Sequence, residues 1–450
     1  MSISAKDLPV ELNLMRIVAQ GLIPATAAST PVQVVGRMLA TQGQITSNVP
    51  HSLISRTLAS LGSDVTRAFE SGQLVRSWPF RGTLHITTAE DYRWLRALDG
   101  DNSWFRRAAA EIGLEDRHIM HAREVARDAL ADGPQTRAGM RKSWLANGVG
   151  SHLSEEERAR LIYILFVQFH GDGTFVSGPL RGNEHLIVDT YSLPEDPRGW
   201  AERLDDGDPE AKRIAFAEIA RRYAITHGPV TDQDLARWTG AGLRVSRQAL
   251  ADALLNINQV DEFSDNHSVA QTPDPNAGRL ADQVSGLGGA VSQNSTGKVS
   301  RNGEEGGRAD QVPIAGMPDA TLRLTTAHLE GKRLVPGSPS GMKTPTFYLR
   351  SDLWDLLDEN REDASKTMYL AMFDELHVGY KDRSCLTDKV GEKLICPGGN
   401  GMFRPLIVDK GRLVAVNPKS IGLTWYKSPS KRLETDAARA MKKMASRLAV

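Results

Sequence analysis

The sequence predicts a mainly α-helical fold with β-hairpins, arranged as tandem winged-helix modules that are followed by a C-terminal β-rich element. One observation is a period-two alternation on both sides of the corner Pro79-Phe80-Arg81-Gly82, which is typical of two strands joined by a turn. Two helical patterns, at residues 51–61 and 63–71, precede this hairpin. Helix, helix and hairpin in this order indicate a winged helix, in which the hairpin is the wing. A second observation is that the plan of helices followed by a hairpin recurs along the chain.

In the first module, which we assign to residues 1–95, Thr30 and Pro31 mark the start of a helix as its N-cap and first helical residue. The apolar residues that this helix should bury are Val34, Val35, Met38 and Leu39. We expect the helix to end near Thr41.

Two further modules repeat the plan. The second module, residues 96–200, has helical patterns at 118–131 and 135–146 and a wing pattern at 174–188. A third helix opens before that wing with a capping box of Ser154 and Glu157. The third module, residues 205–263, has helical patterns at 210–226, 231–238 and 243–257, the last being the candidate recognition helix.

Residues 264–318 differ in composition, because they are rich in Gly, Ser, Asn, Gln and Asp. No Phe, Trp or Tyr occurs between Phe263 and Phe347. Such a segment buries too little apolar surface to offset the entropy of ordering it. We expect a disordered insertion within or after the third wing, and a flexible tether for a partner is the alternative.

The rest of the chain, residues 319–426, carries short apolar runs broken by Gly and Pro, at 346–357, 368–380 and 402–416. These runs are typical of strands, so we predict a C-terminal β-rich domain. Residues 427–450 form a basic amphipathic pattern, which predicts a helix. We expect it to dock through Ala438, Met441, Met444 and Leu448. Its basic residues Lys442, Lys443 and Arg447 should face water, and contact with phosphate is the alternative.

Composition limits the function classes. The chain of 450 residues has 55 Lys and Arg against 55 Asp and Glu, so its formal net charge is zero. This argues against binding to nucleic acid through bulk charge alone, and local basic patches would have to supply the attraction. A neutral cytosolic protein without a nucleic-acid role is the alternative at this level.

Cysteine usage and motif content narrow the possibilities further. Cys385 and Cys396 are the only cysteines and have no CxxC spacing, which indicates a reduced cytoplasmic protein without a disulfide framework or a zinc site. We expect no signal peptide, because no basic start leads into an apolar run, and no membrane span, because no stretch approaches eighteen apolar residues. Walker, Rossmann, HExxH and GxSxG motifs do not occur in the sequence, so we expect no nucleotide cofactor and no metal.

Four motifs carry a resemblance to a known family. They are Gln42-x-Gln44 with the later Arg81-Gly82-Thr83-Leu84-His85, HGPVTDQDLARWTG at 227–240, FDELHVGYKDR at 373–383, and GGNGMFRPLIVDKGR at 398–412. In this order they resemble the bacterial winged-helix family of the azinomycin-resistance DNA glycosylase and its interstrand-crosslink-unhooking relatives. The resemblance covers the chain apart from about 265–345. It implies a protein that binds double-stranded DNA in a cleft, and we expect it to act as a monomer.

Gln42 and Gln44 are the catalytic candidates. Side chains two residues apart share a face only in an extended segment, and Gly43 lets the chain leave helical geometry there. Two solvated residues at a helix end are the alternative. The amides do not titrate, so they cannot act as acid or base, but they can position a water molecule and direct dipoles at a developing positive charge.

This chemistry suits a leaving group that is already activated. An N7-alkylated guanine is cationic, so its glycosidic bond breaks without protonation by the enzyme. We therefore expect bulky N7-alkylated purines as substrates. Some relatives place Asp where this chain has Gln44, and the family usually has an apolar residue where this chain has Gly43, which predicts a looser motif here.

Other residues are candidates for DNA contact or for the cleft. The predicted DNA-binding residues are Arg76, Arg81, Arg244, Arg247, Lys381, Arg383, Asn400 and Arg404. Pairing with surface carboxylates, a solvated helix face or an ordinary turn would explain them equally. The cleft candidates are Asp374 and His85, and a satisfied structural histidine is the alternative for His85. The sequence thus predicts a DNA glycosylase, with a non-catalytic winged-helix regulator as the alternative.

Overall fold

Helices and short sheets alternate along the chain, so the fold is mixed helix and sheet. The computed structural model describes residues 7–98, 103–194, 198–255, 322–339, 344–418 and 420–449. The chain divides into two units, of which one comprises Met1–Ile257 with Ala315–Val450 and the other Asn258–Ile314. The second unit and the predicted disordered insertion at 264–318 lie outside the described residues.

The N-terminal part contains an edge strand and a hairpin among helices. Its elements are α1 (Val10–Ala19), α2 (Pro31–Met38), β1 (Thr41–Gln42), α3 (Val49–Ile54), α4 (Gly62–Glu70), β2 (Leu74–Phe80) and β3 (Thr83–Thr88). Thr30 caps α2 by accepting a hydrogen bond of 3.2 Å from the N–H of Gln33, as its N-cap position predicted. Leu39 then takes a left-handed φ of 67°, which ends the helix and lets the chain enter β1.

The next part adds a second hairpin. Its elements are α5 (Ala89–Leu98), α6 (Ser103–Glu111), α7 (Asp116–Ala131), α8 (Arg137–Ala146), α9 (Glu155–Gly171), β4 (Phe175–Arg181) and β5 (Glu184–Asp189). Ser154 and Glu157 form the predicted capping box at the start of α9.

The two hairpins share one sheet with the edge strand, in the order β1-β3-β2-β4-β5. The join is an antiparallel pairing of β2 with β4, in which Arg76 lies opposite Ser177. The sequence predicted two separate wings, because each hairpin is local and its partner strand is about a hundred residues away. The shared sheet holds the first hairpin between β1 and the second hairpin.

The third set of helices is completed by strands that lie beyond the insertion. The elements are α10 (Trp200–Asp205), α11 (Pro209–His227), α12 (Asp232–Thr239), α13 (Leu243–Leu255), β6 (Leu324–Glu330), β7 (Arg333–Pro336) and β8 (Phe347–Arg350). The three strands form a sheet of order β7-β6-β8. Strand β8 also joins the loop before α12 through two backbone hydrogen bonds between Val230 and Tyr348, of 3.0 and 2.7 Å. The prediction that the insertion lies within or after this wing is wrong: the hairpin β6–β7 follows it, so the insertion lies between α13 and β6.

The C-terminal part is less β-rich than predicted. Its elements are α14 (Leu353–Ala364), β9 (Met368–Leu370), α15 (Glu375–Val378), α16 (Lys389–Ile395), β10 (Leu406–Asp409), β11 (Arg412–Val416), β12 (Thr424–Trp425) and α17 (Lys431–Leu448), with a sheet of order β12-β11-β10-β9. The predicted strand at 346–357 ends at Arg350, because Leu353 and Leu357 are spaced to bury one face of helix α14.

Helix α1 belongs to this C-terminal core. Leu12 and Met15 of α1 cluster with Leu353, Leu357 and Leu406. Residues 1–95 are therefore not a self-contained module, since the first helix packs with residues more than three hundred positions later.

The terminal helix α17 docks through three of the predicted residues, Met441, Met444 and Leu448, but through Ala437 in place of Ala438. Ala437 and Met444 are buried, whereas Ala438 is exposed. Arg447 does not face water as predicted, because it donates hydrogen bonds to the carbonyls of Ser60 and Thr57, at 3.0 and 3.1 Å. None of the helices in the described ranges has the length and apolar character to cross a membrane.

Candidate active site

The Gln42–Gln44 segment is an extended edge of the five-stranded sheet. Gln42 lies directly opposite His85 in the pairing of β1 with β3, and the N–H of Gly43 donates to the carbonyl of Leu84 at 2.8 Å. The Oε1 atom of Gln44 then accepts from the N–H of Leu84 at 3.4 Å. The side chain of Gln44 thus takes the place of the next backbone acceptor along the edge.

The two amides differ in their surroundings. Gln44 is exposed, whereas the Oε1 atom of Gln42 is buried and has no hydrogen-bond partner among the described residues. The predicted extended geometry is present at Gln42, which ends β1, whereas the chain bends at Gln44. No hydrogen bond within the described residues joins the two side chains.

The segment packs closely on β3 at Gly43, where a looser motif was expected. A Cβ atom at this position would lie 2.8 Å from Cδ1 of Ile86 and 3.2 Å from the carbonyl carbon of His85. Only glycine lets β1 approach β3 this closely.

Arg76 clamps the same segment from the neighbouring strand. Its Nε donates to the carbonyl of Gly43 at 2.7 Å and its Nη2 to the carbonyl of Gln44 at 3.2 Å. Burial, together with the nearby charge of Arg137, lowers the pKa of the half-buried Arg76 to about 10. The side chain that the sequence assigned to a phosphate therefore holds the two residues after Gln42 in place.

Arg81 lies at the tip of the hairpin. It is exposed and has a left-handed φ of 55°. Its side chain packs on Gly240, where a Cβ atom would lie 2.7 Å from Cγ of Arg81. The tip of the first hairpin therefore contacts the C-terminal end of α12.

A carboxylate that the sequence did not single out meets the Gln pair. Glu375 at the start of α15 is 1% exposed, and its Oε1 atom accepts a hydrogen bond of 2.8 Å from the backbone N–H of Gln42. Its Oε2 atom accepts from Nε1 of Trp238 at 3.2 Å and lies 3.4 Å from Nε2 of His227. Burial alone would raise the pKa of Glu375, but the hydrogen bond with His227 and the nearby charges, together with the bond from Gln42, lower it below its usual value.

His85 is a buried, neutral acceptor on the face of Gln42. Its Nδ1 lies 2.9 Å from the carbonyl oxygen of Thr83, which can only accept, so Nδ1 carries the proton. Nε2 then presents a lone pair and has no partner among the described residues. Burial lowers the pKa of His85 to about 4. Since residues opposite each other on antiparallel strands share a face, the side chains of Gln42 and His85 lie side by side.

Asp374 does not line a cleft, and this prediction is wrong. Both of its oxygens accept from Arg56, at 2.8 and 2.9 Å, and both side chains are almost fully buried. Oδ1 also accepts from the N–H of Leu376 and so caps α15. Adjacent carboxylates point in different directions, and it is Glu375 that faces Gln42. The FDELHVGYKDR motif contained both residues, but its spacing could not decide between them.

The predicted basic residues on α13 lie at the surface. Arg244 is exposed, and Arg247 is exposed but paired with Asp232 at 2.9 Å. Ser246 is buried between them. Arg244 is thus the residue of this helix that is best placed to contact a phosphate.

The other candidates have local partners. Nζ of Lys381 donates to Gln233 at 2.7 Å, and Arg383 lies 3.3 Å from Glu392. Lys381 and Arg383 line an open cavity of about 780 Å³, whose lining also includes Asp382, Asp388 and Glu392. Its charge is mixed rather than basic.

Asn400 and Arg404 lie at and just after the Gly-rich turn. Oδ1 of Asn400 accepts from the N–H of Met402 at 3.2 Å, and Nη1 of Arg404 donates to the carbonyl of Leu394 at 3.3 Å. Within the described residues, no group of His, Cys, Asp and Glu side chains is arranged to hold a metal ion.

Comparison with known proteins places this geometry in context. The family model described as DNA glycosylase AlkZ-like matches residues 35–284. An interstrand DNA cross-link repair glycosylase from Streptomyces sahachiroi is 26% identical over 226 residues, which are 50% of this chain and 58% of that protein. The chain thus aligns with little more than half the length of this relative.

A solved structure is similar over nearly the whole chain. The structure of Streptomyces sahachiroi DNA glycosylase AlkZ superimposes with a TM-score of 0.55 at 16% identity, covering 98% of each chain. At this level of identity the likeness establishes a shared fold.

Proposed function

Because the chain belongs to the DNA glycosylase AlkZ-like family, we propose that it is a DNA glycosylase that hydrolyses the N-glycosidic bond of bulky, cationic N7-alkylated purines in duplex DNA. The observation that carries the proposal is the edge segment of Gln42, Gly43 and Gln44, which is fixed against His85 and Leu84 and clamped by Arg76. This segment presents oriented, non-titrating polar groups at the edge of the five-stranded sheet, close to the tip of the first hairpin.

The attacking water is held by two acceptors. Among the described residues, Oε1 of Gln42 and Nε2 of His85 have no hydrogen-bond partner and lie on one face of the sheet, so a water molecule between them would donate one hydrogen to each. Its oxygen lone pair then points away from both. The exposed amide of Gln44 lies at the edge beside this pair and orients the sugar or the water from outside.

The reaction balances without an acid catalyst. The water oxygen bonds to C1′ while the bond from C1′ to the purine nitrogen breaks, and the electron pair of that bond neutralises the cationic base. The attacking water becomes strongly acidic as it bonds to the sugar cation, so a weak acceptor such as Nε2 of His85, or solvent, takes its proton. An unmodified purine would leave as an anion and would need protonation that this segment does not supply.

Duplex DNA is the proposed partner, bound by tandem winged-helix modules. Three sets of helices each pair with a hairpin: β2–β3, β4–β5 and β6–β7. The proposed contacts to phosphate are made by Arg81, Arg244, Arg247, Lys381, Arg383, Asn400 and Arg404. The protein would act as a monomer without a nucleotide cofactor, in the cytoplasm of a bacterium, at the nucleoid when it is bound to DNA.

The test is release of a modified base. The protein is incubated with a duplex that carries one N7-alkylguanine and, in parallel, with the same duplex unmodified, and abasic sites are counted after alkaline cleavage. We expect abasic sites in the alkylated duplex alone. Tight binding of both duplexes without release of base would favour the non-catalytic regulator instead.

A further inference from the structure

Next to the Gln pair, the charged side chain of Glu375 is buried in the protein. This side chain is 1% exposed, and its hydrogen-bond partners among the described residues are the backbone N–H of Gln42, the indole N–H of Trp238 and the ring of His227. A carboxylate in such a position is costly to desolvate unless a positive charge compensates it.

Among the residues that the structure describes, the Arg side chains near this carboxylate compensate it only in part, because Arg56 and Arg81 interact with its charge without forming an ion pair with it. Burial lowers the pKa of His227, although its hydrogen bond with Glu375 and the charge of that carboxylate act to raise it. Burial lowers the pKa of His85 to about 4, so His85 is neutral at physiological pH. Arg56 forms its ion pair with Asp374 through two hydrogen bonds, and the charge of Glu375 acts on it without direct contact. Within the described residues, no Lys or Arg nitrogen forms an ion pair with Glu375.

Buried aromatic rings surround the carboxylate of Glu375, so water screens its charge little. Trp238 stacks on Tyr223 with ring centroids 4.9 Å apart, and Phe80 packs against Trp238 at the same centroid distance. All three rings are at least nine-tenths buried. Charge interactions are stronger beside such apolar groups than in water.

The backbone leaves room for the carboxylate. A Cβ atom at position 379 would lie 3.2 Å from Oε2 of Glu375 and 3.0 Å from Cδ2 of His227, so Gly379 permits the contact between them.

We propose that Glu375 is the electrostatic and positioning residue of this site: its buried carboxylate, which forms no ion pair with Lys or Arg among the described residues, selects positively charged substrates, and its hydrogen bond to the Gln42 backbone holds the first glutamine in register. The inference rests on the proposed function and deepens it. The positive charge resides first on the alkylated base and then on the sugar as the bond breaks, and the fixed negative charge stabilises both. The protein thereby prefers cationic purines through one buried charge as well as through the chemistry of the leaving group.

The test compares two abasic-site mimics in the same duplex. One contains a pyrrolidine ring that is protonated at neutral pH, and the other contains the neutral tetrahydrofuran ring of the same size. Equilibrium binding of the full-length protein to each gives a cation preference, the ratio of the two Kd values. We expect the wild type to prefer the cationic duplex at least about ten-fold.

The isosteric variant Glu375→Gln removes the charge and keeps an acceptor for the Gln42 N–H. We expect it to lose most of the cation preference while its Kd for the neutral duplex changes less than about two-fold. The matched control is Glu218→Gln, since Glu218 is equally buried but pairs with Arg221. It should keep the wild-type ratio.

Two results would overturn the inference: an unchanged ratio in Glu375→Gln, or an equal loss of affinity for both duplexes, which would mean a purely structural role. If Glu375→Gln does not fold, Glu375→Asp decides. This variant keeps the charge but shortens the side chain. If the role of Glu375 is purely structural, we expect affinity for both duplexes to fall; if its charge matters, we expect the cation preference to be retained. Failure of the wild type to release alkylated base, with the cation preference present, would refute the proposed function and leave this inference standing.

Discussion

The backbone N–H of Gln42 donates a 2.8 Å hydrogen bond to the carboxylate of Glu375, across 333 positions of the chain. The first residue belongs to an edge strand near the N-terminus and the second begins a short helix in the C-terminal part. The candidate site is therefore assembled from both ends of the chain, and neither end contains it alone.

The close approach of β1 to β3 predicts a cost for any side chain at position 43. Gly43→Ala should destabilise the protein by about 1–3 kcal/mol in urea unfolding, because the new methyl group would overlap Ile86. The double variant Gly43→Ala/Ile86→Val should recover part of the loss. Gly171→Ala is the control, since nothing lies within 4 Å of its Cβ position, and it should cost nothing. Equal stability of Gly43→Ala and the wild type would mean that the strands are not this close.

The clamp by Arg76 predicts an effect on turnover rather than on DNA binding. Arg76→Lys cannot make both hydrogen bonds to the carbonyls of Gly43 and Gln44, so base release should slow by roughly ten-fold or more while Kd changes little.

The salt dependence of DNA binding distinguishes a residue that holds the Gln segment from a residue that contacts phosphate. Arg244→Ala should reduce the slope of log K against log salt by about one, as expected for a lost phosphate contact. The same reduction in Arg76→Lys would restore the phosphate-contact interpretation.

Secondary structure near the Gln pair could be predicted from local signals. Thr30 and Pro31 mark the start of α2, and alternation around residues 79–82 marks the first hairpin, because caps, turns and strand periodicity depend on neighbours in sequence. The extended geometry of Gln42 agreed with the hypothesis that the helix ends before it, whereas the bend at Gln44 was not predicted. Their chemistry followed from the neutrality of amides together with the family resemblance.

The long-range contacts could not be predicted in this way. Nothing within a few residues of Arg76 shows that β2 pairs with β4, or that α1 packs with Leu353 and Leu357. The choice of Glu375 over Asp374 depends on where Arg56 lies, and that is a tertiary fact. The composition of the insertion gave no sign that the third hairpin follows it.

The buried pair of Arg56 and Asp374 predicts a large loss of stability on breaking it. Asp374→Asn should lower the free energy of unfolding by about 3–5 kcal/mol, because it leaves a guanidinium buried without its countercharge. Asp232→Asn breaks a pair with the exposed Arg247 and should cost less than about 1 kcal/mol. Similar small effects for both variants would place Asp374 in a solvated cleft, as the sequence first suggested.

Buried neutral histidines predict a loss of stability in acid. Burial lowers the pKa of His85, His170 and His185 to about 4, whereas in the unfolded chain it is near 6.5. Between these values the unfolded chain binds more protons, so their contribution is complete above about pH 6.5 and is lost as the pH falls towards 4. Thermal unfolding from pH 7.5 to 4.5 should show a falling Tm.

A variant assigns this loss to a particular histidine. His170→Gln should lose less stability on acidification than the wild type, by on the order of 1–3 kcal/mol at the acid end. The exposed His121 supplies the control, because His121→Gln should follow the wild-type curve. A Tm that does not change with pH in the wild type would contradict the burial of these rings.

The most decisive measurement is single-turnover release of N7-methylguanine from a duplex by the wild type and by Gln44→Ala, with Kd for the same duplex measured alongside. Gln44 is exposed and its side chain accepts one long, exposed hydrogen bond, of 3.4 Å, from the N–H of Leu84, so its replacement should leave the protein folded. We predict that Gln44→Ala binds within about two-fold of the wild type and releases the base about 100-fold more slowly, the usual loss for one oriented polar group. Release at the wild-type rate by Gln44→Ala, or no release by the wild type, would contradict catalysis by the glutamine pair.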